Sequence, residues 1–326
     1  MGEWVLGWEE SGEVKMELYR IMSFFELYEL LTNKRLKMTK LKLMEDLNEG
    51  FAYSLNDLLP RTFNPVFFTS SNMNKETYNL VRESKFITCW TKEKESMAMW
   101  LLYSKDFKSI RIKTSKEKLK KVIDNYIDEI MYPKHLYSES RTLMSNMPTM
   151  IGDVRYVDFK DYKTKILEFK KEFDFELNNL KEKTDENYIS LISKFFDKSE
   201  KLLPLKDILF LKNKAYSHEN EVRAGISLVF RNDINNEEVK SRLKRDDESM
   251  SNLLGTFIFR EFNPNDFENV YYIDLKIDDF IEEICFDPRI PTYQKDIYTD
   301  ILGLKDDKRV VTSDIFGSYV ELYNKL

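Results

Sequence analysis

The feature that most constrains the fold is the alternation of apolar and polar residues in ENEVRAGISL, residues 219–228. In steps of two, the stretch has an apolar side and a mainly charged side: Val222, Ala224, Ile226 and Leu228 against Glu219, Glu221, Arg223 and Gly225. This period is typical of a β-strand that buries one face. The chain must therefore build a sheet with a hydrophobic layer against it, while the charged side either faces water or lines a cleft.

Strand and helix patterns are mixed along the rest of the chain. After a strand at 17–21, a helix begins at Ser23, where Glu26 supplies the second half of a capping box. Further strands are predicted at 35–42, 85–90, 108–113, 152–159, 255–262 and 270–275, and further helices at 94–104, 116–132 and 293–303. This order lacks the regular alternation of a doubly wound fold, and no G-x-G-x-x-G or P-loop motif is present. It predicts an α+β fold.

Residues 160–203 differ from their surroundings because Lys and Glu dominate them, with apolar residues at helical spacing. We predict two helices here, forming an insertion whose charges make a solvated face. The predicted division is an N-terminal extension at 1–16, the first part of the core at 17–159, the helical insertion at 160–203 and the second part of the core at 204–326. Removal of the insertion is expected to leave a functional cleft intact.

Charge and cysteine content limit the classes of function. The chain has 51 Lys and Arg against 57 Asp and Glu, so it has no global positive field for nucleic acid. Cys89 and Cys285 lie far apart in apolar stretches, which favours reduced thiols over a disulfide. The N-terminus does not resemble a signal peptide, and no apolar run could span a bilayer. We expect a cytoplasmic protein without a membrane partner.

A first candidate site lies in the helix around SMAMWLLYS. Ser96, Trp100 and Tyr103 fall at i, i+4 and i+7 and share a face. The two rings could stack on a flat ligand while the serine hydroxyl donates a hydrogen bond. Alternatively, an aromatic stripe at this spacing belongs to the hydrophobic core.

A second candidate site is the charged side of the alternating stretch. In a strand, Glu219 and Glu221 would lie about 6.5–7 Å apart on one face, and Arg223 could orient one of them. Such a carboxylate could stabilise an oxocarbenium-like transition state. The alternative is a solvent-facing row of charges. His135 and His218 lack partners at ligand spacing, so no metal site is predicted.

Several stretches together resemble a bacterial family of unknown function. They are LYRIMSFFELYELLTNKRLKMTKLKLMEDLNEG, MAMWLLYS, VRYVDF, LKNKAYSHENEVRAGISL and IEEICFDPRIP, which follow in order from about Leu18 to Leu304. The chain departs from the family pattern at three places: MEDLNEG replaces an Asn-Asp-Pro segment, SKDFKSIRI replaces the glycine that commonly follows the Met-Trp helix, and Tyr216 replaces tryptophan. The chain is similar to a divergent member of that family.

The opening strand, helix and strand, together with the late Glu-x-Glu-x-Arg strand, also resemble toxin-type ADP-ribosyltransferases. That resemblance implies an ADP-ribosyltransferase-like mixed core that binds NAD. It makes Arg20 the NAD-contacting basic residue, Glu221 the catalytic glutamate and Tyr103 the aromatic wall beside nicotinamide.

These observations lead to two hypotheses. The first is an NAD-dependent ADP-ribosyltransferase or NAD glycohydrolase that acts as a bacterial toxin or a phage-defence effector. Its acceptor and any antitoxin stay open. Its catalytic residues would be Glu221 and Glu219, and its NAD-binding residues would be Arg20, Ser96, Trp100, Tyr103 and Arg223. The second is a non-catalytic module that senses a nucleotide or a partner protein, in which the charged row is structural. The first hypothesis predicts that Arg20, Trp100, Tyr103 and Glu221 converge on one pocket.

Overall fold

The computed structural model describes residues 15–44, 82–131, 142–145, 149–180, 185–203, 209–231 and 268–315. The predicted strand at 255–262, His135 and the predicted extension up to residue 14 lie outside these ranges.

The described elements mix strands and helices along the chain. The strands are β1 (Glu17–Met22), β2 (Arg35–Lys40), β3 (Lys85–Thr91), β4 (Ile110–Ser115), β5 (Thr142–Ser145), β6 (Met150–Asp153), β7 (Arg155–Val157), β8 (Leu211–Asn213), β9 (Glu221–Arg231), β10 (Val270–Asp274), β11 (Glu283–Phe286) and β12 (Val310–Val311). The helices are α1 (Phe24–Leu31), α2 (Met97–Tyr103), α3 (Lys116–Met131), α4 (Phe159–Asn178), α5 (Asp185–Leu202) and α6 (Thr292–Ile301).

Most of these strands form one mainly antiparallel sheet. Its main path runs β10-β2-β3-β1-β4-β11-β12, and β9 joins it by pairing with β3. The other edge of β9 pairs with β5 and β6. Parallel pairing among the described strands occurs between β11 and β12 and in the separate pair β7–β8. The protein is therefore mixed α/β with a mostly antiparallel sheet, which agrees with the expected α+β class.

The first helix begins where the capping box predicts. The Ser23 hydroxyl accepts from the Glu26 backbone N–H at 3.3 Å, and the Glu26 carboxylate accepts from the Ser23 N–H at 3.3 Å. These two bonds satisfy donors that the first turn of a helix leaves free. The capping box is confirmed.

The main core lies on one face of the sheet, against α1 and α3. Both helices are amphipathic, and α3 buries Leu119, Val122 and Ile123 on one side. The strands add Leu18, Phe86, Trp90, Ile112, Val222, Ala224, Ile226 and Leu228. The apolar side predicted for the alternating stretch is thereby confirmed.

The opposite face of β9 is also covered. Leu41, Ile87, Leu209 and Phe210 form a smaller hydrophobic cluster there. Gly225 lies beneath it, since a Cβ at this position would stand 2.7 Å from a Leu209 side-chain carbon. The charged side of β9 therefore does not face open water.

Helices α4 and α5 build a hydrophobic cluster of their own, which includes Ile166, Phe169 and Phe195. The cluster also includes Leu211 of β8, so the helical pair packs onto the two-stranded sheet. Two helices are found where two were predicted, while the domain boundaries at 160 and 203 stay predictions. In the described part of the chain, no helix combines the length and apolar character needed to cross a membrane.

Two details of the predicted strands are wrong. The single strand expected at 152–159 is divided between β6 and β7. Glu219 does not lie in a strand: it ends a 3-10 turn at Lys214–Glu219, and β9 begins at Glu221. Between them, Asn220 takes a left-handed conformation with φ 42°, which asparagine tolerates better than most residues.

Candidate functional site

Four charged side chains meet at the start of β9. Lys212 of β8 donates from Nζ to Glu219 Oε2 at 2.6 Å and to Glu221 Oε2 at 3.0 Å. Arg223 donates from Nε to Glu221 Oε1 at 2.6 Å. We call Lys212, Glu219, Glu221 and Arg223 the ionic network. Its two cations balance its two carboxylates.

The turn before β9 brings both glutamates to one lysine. Asn213 caps this turn, because its side chain accepts from the Ala215 N–H at 2.9 Å. At the other end, Thr91 donates its hydroxyl to the Glu219 carbonyl at 2.6 Å. The left-handed Asn220 then ends the turn and leads the chain into β9. Lys212 can therefore bridge two carboxylates that would otherwise stand along one extended strand.

Neighbouring polar groups complete the network. The Tyr103 hydroxyl donates to Glu219 Oε1 at 2.8 Å. Arg223 donates from Nη1 to the Leu209 carbonyl at 2.9 Å and from Nη2 to Glu221 Oε2 at 3.3 Å. All four carboxylate oxygens of the two glutamates thus accept hydrogen bonds from protein donors.

Two further side chains anchor Glu221. The Tyr156 hydroxyl of β7 accepts from the Glu221 backbone N–H at 2.8 Å. The Cys89 thiol of β3, opposite Arg223 in the ladder, also hydrogen-bonds the Glu221 side chain. The network is therefore tied both to the main sheet and to the pair β7–β8 that carries the helical pair.

Burial and charge act against each other in the network. Glu219, Glu221 and Arg223 are 5%, 4% and 1% exposed. Burial by itself raises the pKa of Glu221, but the charge and hydrogen bonds of Arg223 and the charge of Lys212 outweigh it and hold that pKa well below its ordinary value. Burial likewise opposes protonation of Lys212, yet the two glutamates raise its pKa above the usual range. Glu221 and Lys212 are therefore both charged at neutral pH.

Helix α2 brings an exposed tyrosine to this buried network. Tyr103 is 46% exposed, although its hydroxyl reaches Glu219. Trp100 is fully buried and donates from its indole N–H to Glu95 at 3.2 Å. Ser96 is the N-cap residue of α2. Of the two rings predicted to contact a ligand, the exposed one is therefore Tyr103.

Several large apolar residues in and just after α2 are exposed. Met97, Leu101 and Leu102 of α2 are exposed, and so is Phe107 in the following loop. Phe107 has φ 61°, an uncommon conformation for an aromatic residue, and Arg289 lies over its ring at 4.2 Å. Arg289 also donates to the Trp100 carbonyl at 3.2 Å, so it caps the end of α2. We call Met97, Leu101, Leu102, Tyr103 and Phe107 the α2 surface.

Arg20 lies away from the ionic network. In the ladder, Tyr19 is opposite Thr91 and Thr91 is opposite Glu221, so Tyr19 is the β1 residue on the Glu221 face. Arg20 alternates to the side of the main core, where it hydrogen-bonds Thr88 and pairs with Glu26 at 3.2 Å.

The structure thus brings Glu219, Glu221, Arg223 and Tyr103 together and separates Arg20 from them. It does not gather Arg20, Trp100, Tyr103 and Glu221 in one pocket. Sequence reasoning missed Lys212, Tyr156 and Cys89. Periodicity within one segment gives no signal for them, because each lies on a different strand from Glu221. Among the described residues, no group of His, Cys, Asp and Glu could hold a metal ion.

Comparison with known proteins gives one match. No curated protein and no solved structure matches the chain significantly, and nothing links it to ADP-ribosyltransferases. The matched segment begins within α2 and ends within β9, so it includes Tyr103 and the complete ionic network. At residues 99–224 the chain contains a DUF2971 domain, a protein domain of unknown function.

Proposed function

We propose that the chain is a non-catalytic binding module, in which the ionic network is structural and supports the α2 surface for contact with a partner protein. One observation carries this proposal: Tyr103 is exposed on that surface while its hydroxyl is bound to buried Glu219. The network thereby holds the position of α2. Several large apolar residues exposed within one short segment favour an interaction site.

The state of the carboxylates supports a structural role. A glutamate that stabilises a positive centre in a substrate must contact that substrate. Both oxygens of Glu221 already accept from Arg223 and Lys212. Breaking a buried ion pair by removing one partner typically costs about 3–5 kcal/mol, so a ligand would have to replace strong contacts.

The alternative is the ADP-ribosyltransferase-like enzyme or NAD glycohydrolase, and the exposed ring of Tyr103 beside Glu219 favours it. In that case Tyr103 would stack on nicotinamide and Glu221 would be catalytic. Arg20 does not fit as the residue that holds the NAD pyrophosphate, because it lies on the opposite face of the sheet. A role as a toxin or phage-defence effector belongs to this alternative.

A cytoplasmic location goes with either function. Neither Cys89 nor Cys285 forms a disulfide, and Cys89 is only partly buried. A reducing compartment preserves such thiols.

Nicotinamide release separates the two functions. Purified protein is incubated with NAD, and free nicotinamide is measured by chromatography. We expect no release from the parent protein and no change in its melting temperature with NAD. A release that Glu221→Gln abolishes, in a variant whose circular dichroism matches that of the parent, would establish the enzyme and refute the module.

A further inference from the structure

Helix α6 presents two parallel ridges of exposed side chains. Tyr293, Ile297 and Ile301 follow at i, i+4 and i+8 and are 65%, 50% and 56% exposed. Asp296 and Asp300 form an exposed acidic ridge beside them. We call these five residues the α6 surface.

The other side of α6 attaches the helix to the body of the protein. The Tyr298 ring lies 4.3 Å from the ring of Phe24 in α1, and Leu302 packs against the main core. Gly303, with φ 63°, ends the helix in the left-handed conformation that glycine adopts easily. The α6 surface is therefore displayed on an anchored helix.

The apolar ridge has the form of a helix-binding site. Three large apolar side chains on one stripe extend over about 12 Å of helix. Isoleucine has no advantage at exposed helix positions, because its β-branched side chain loses rotamer freedom there. Single exposed apolar residues are ordinary, whereas a contiguous ridge with polar neighbours is typical of an interaction surface.

We propose that the α6 surface binds an amphipathic helix of a partner protein that carries Lys or Arg beside its apolar ridge. The partner's apolar residues would pack on Tyr293, Ile297 and Ile301 at the spacing used in helix recognition. Its cations would lie against Asp296 and Asp300, which fixes the side of approach. The α6 surface is separate from the α2 surface, so this inference goes beyond the function proposed above and adds a second site for a partner of stated chemistry.

The acidic ridge argues against two other occupants. In a symmetric pair of two copies, the same patch faces itself, so the aspartates of both copies would be brought close together. Like charges in such an arrangement repel. An anionic lipid surface would repel the same two aspartates.

Two stapled helical peptides test the chemistry of the partner. Both have a leucine ridge, and they differ only in carrying lysine or glutamate beside it. Binding to the full chain is measured by fluorescence anisotropy at two salt concentrations. We expect the lysine peptide to bind, more weakly at high salt, and the glutamate peptide to bind at least about 10-fold more weakly.

Paired variants locate the binding. The double variant Ile297→Ser with Ile301→Ser should bind the lysine peptide about 10-fold more weakly or worse, because central apolar anchors are lost. The double variant Asp296→Asn with Asp300→Asn should bind the lysine peptide several-fold more weakly, and its affinity should depend less on salt concentration. Two controls should bind as the parent does: Leu167→Ser with Phe175→Ser removes exposed apolar residues of α4, and Asp161→Asn with Asp197→Asn removes the same charge elsewhere.

Three outcomes would overturn the proposal. They are equal binding of both peptides, equal loss in the control variants, and a dimer in light scattering that Ile297→Ser abolishes. The last outcome would show that the occupant is a second copy. Detection of nicotinamide release would overturn the module function but would leave the peptide result unchanged, so the two failures can be told apart.

Discussion

Two buried lysines on the same side of β9 have opposite electrostatic surroundings. Lys212, at the start of the strand, bridges Glu219 and Glu221, and its pKa is raised. Lys85 lies opposite Ser227 further along the strand and hydrogen-bonds its hydroxyl. Burial lowers the pKa of Lys85 to about 7.

The comparison shows that burial alone does not decide the charge of a lysine. Near two carboxylates, the lysine stays protonated because its charge is compensated. Where desolvation dominates, the neutral amine is favoured. At the start of β9 Lys212 therefore stays charged over the neutral range, whereas Lys85 titrates near neutral pH.

The largest effect is expected from Lys212→Met. This change leaves Glu219 and Glu221 buried together with one cation fewer, so the free energy of unfolding should fall by about 3–5 kcal/mol. Urea denaturation followed by circular dichroism measures it. The matched control is Lys120→Met, which removes an exposed pair with Asp124 and should cost at most about 1 kcal/mol. Equal free energies of unfolding for the two variants would contradict a structural role of the ionic network.

The second prediction concerns pH and Lys85. The folded chain loses the Lys85 proton near pH 7, whereas the unfolded chain keeps it up to about pH 10.5. Between these values the unfolded state binds one more proton, so this group makes the free energy of unfolding rise with pH, by about 1.4 kcal/mol per unit. In Lys85→Met this contribution should vanish, and the variant should be the more stable protein below pH 7.

Urea midpoints of parent and variant at several pH values check this prediction. Lys85→Arg is the matched variant, because arginine keeps its charge throughout and should be destabilised at every pH. Parallel pH profiles for the parent and Lys85→Met would contradict the assignment of the slope to Lys85.

A smaller effect is expected from the hydrophobic cluster of Leu41, Ile87, Leu209 and Phe210, which covers β9 between the two lysine sites. In Gly225→Ala, the new Cβ would stand 2.7 Å from a Leu209 side-chain carbon, so the Leu209 side chain must shift. The free energy of unfolding should fall by about 1–3 kcal/mol. Gly152→Ala is the control on the neighbouring strand, since its Cβ would meet Phe210 at 3.5 Å, an ordinary contact. Thermal unfolding of both variants should separate them. Equal melting temperatures of the two variants would show that Leu209 moves aside without loss of stability.

The smallest effect is expected from Tyr103→Phe. It removes one hydrogen bond to Glu219 and keeps the apolar ring, so the loss of stability should be about 1 kcal/mol. Burial and the nearby Glu219 raise the pKa of Tyr103, and the hydroxyl is therefore a donor over the whole neutral range. A spectrophotometric titration that finds an ordinary tyrosine pKa would contradict the contact.

Local patterns predicted the elements well. The capping box at Ser23 and Glu26 and the apolar side of β9 depend only on residues a few positions apart, so periodicity could locate them. The aromatic stripe of α2 was ambiguous from the same pattern. Periodicity places Trp100 and Tyr103 on related positions of a helix, but it does not say which neighbouring element covers one ring and leaves the other exposed.

By itself, the sequence determined the mixture of strands and helices and the division of β9 into an apolar and a charged side, because these follow from side-chain direction along the backbone. Only the tertiary structure decided what the charged side faces. The register of β1 against β3 put Arg20 on the other face, and the turn at Asn220 brought Lys212 between two glutamates. Contacts between distant segments leave no periodic trace, so they emerge only when the sheet is assembled.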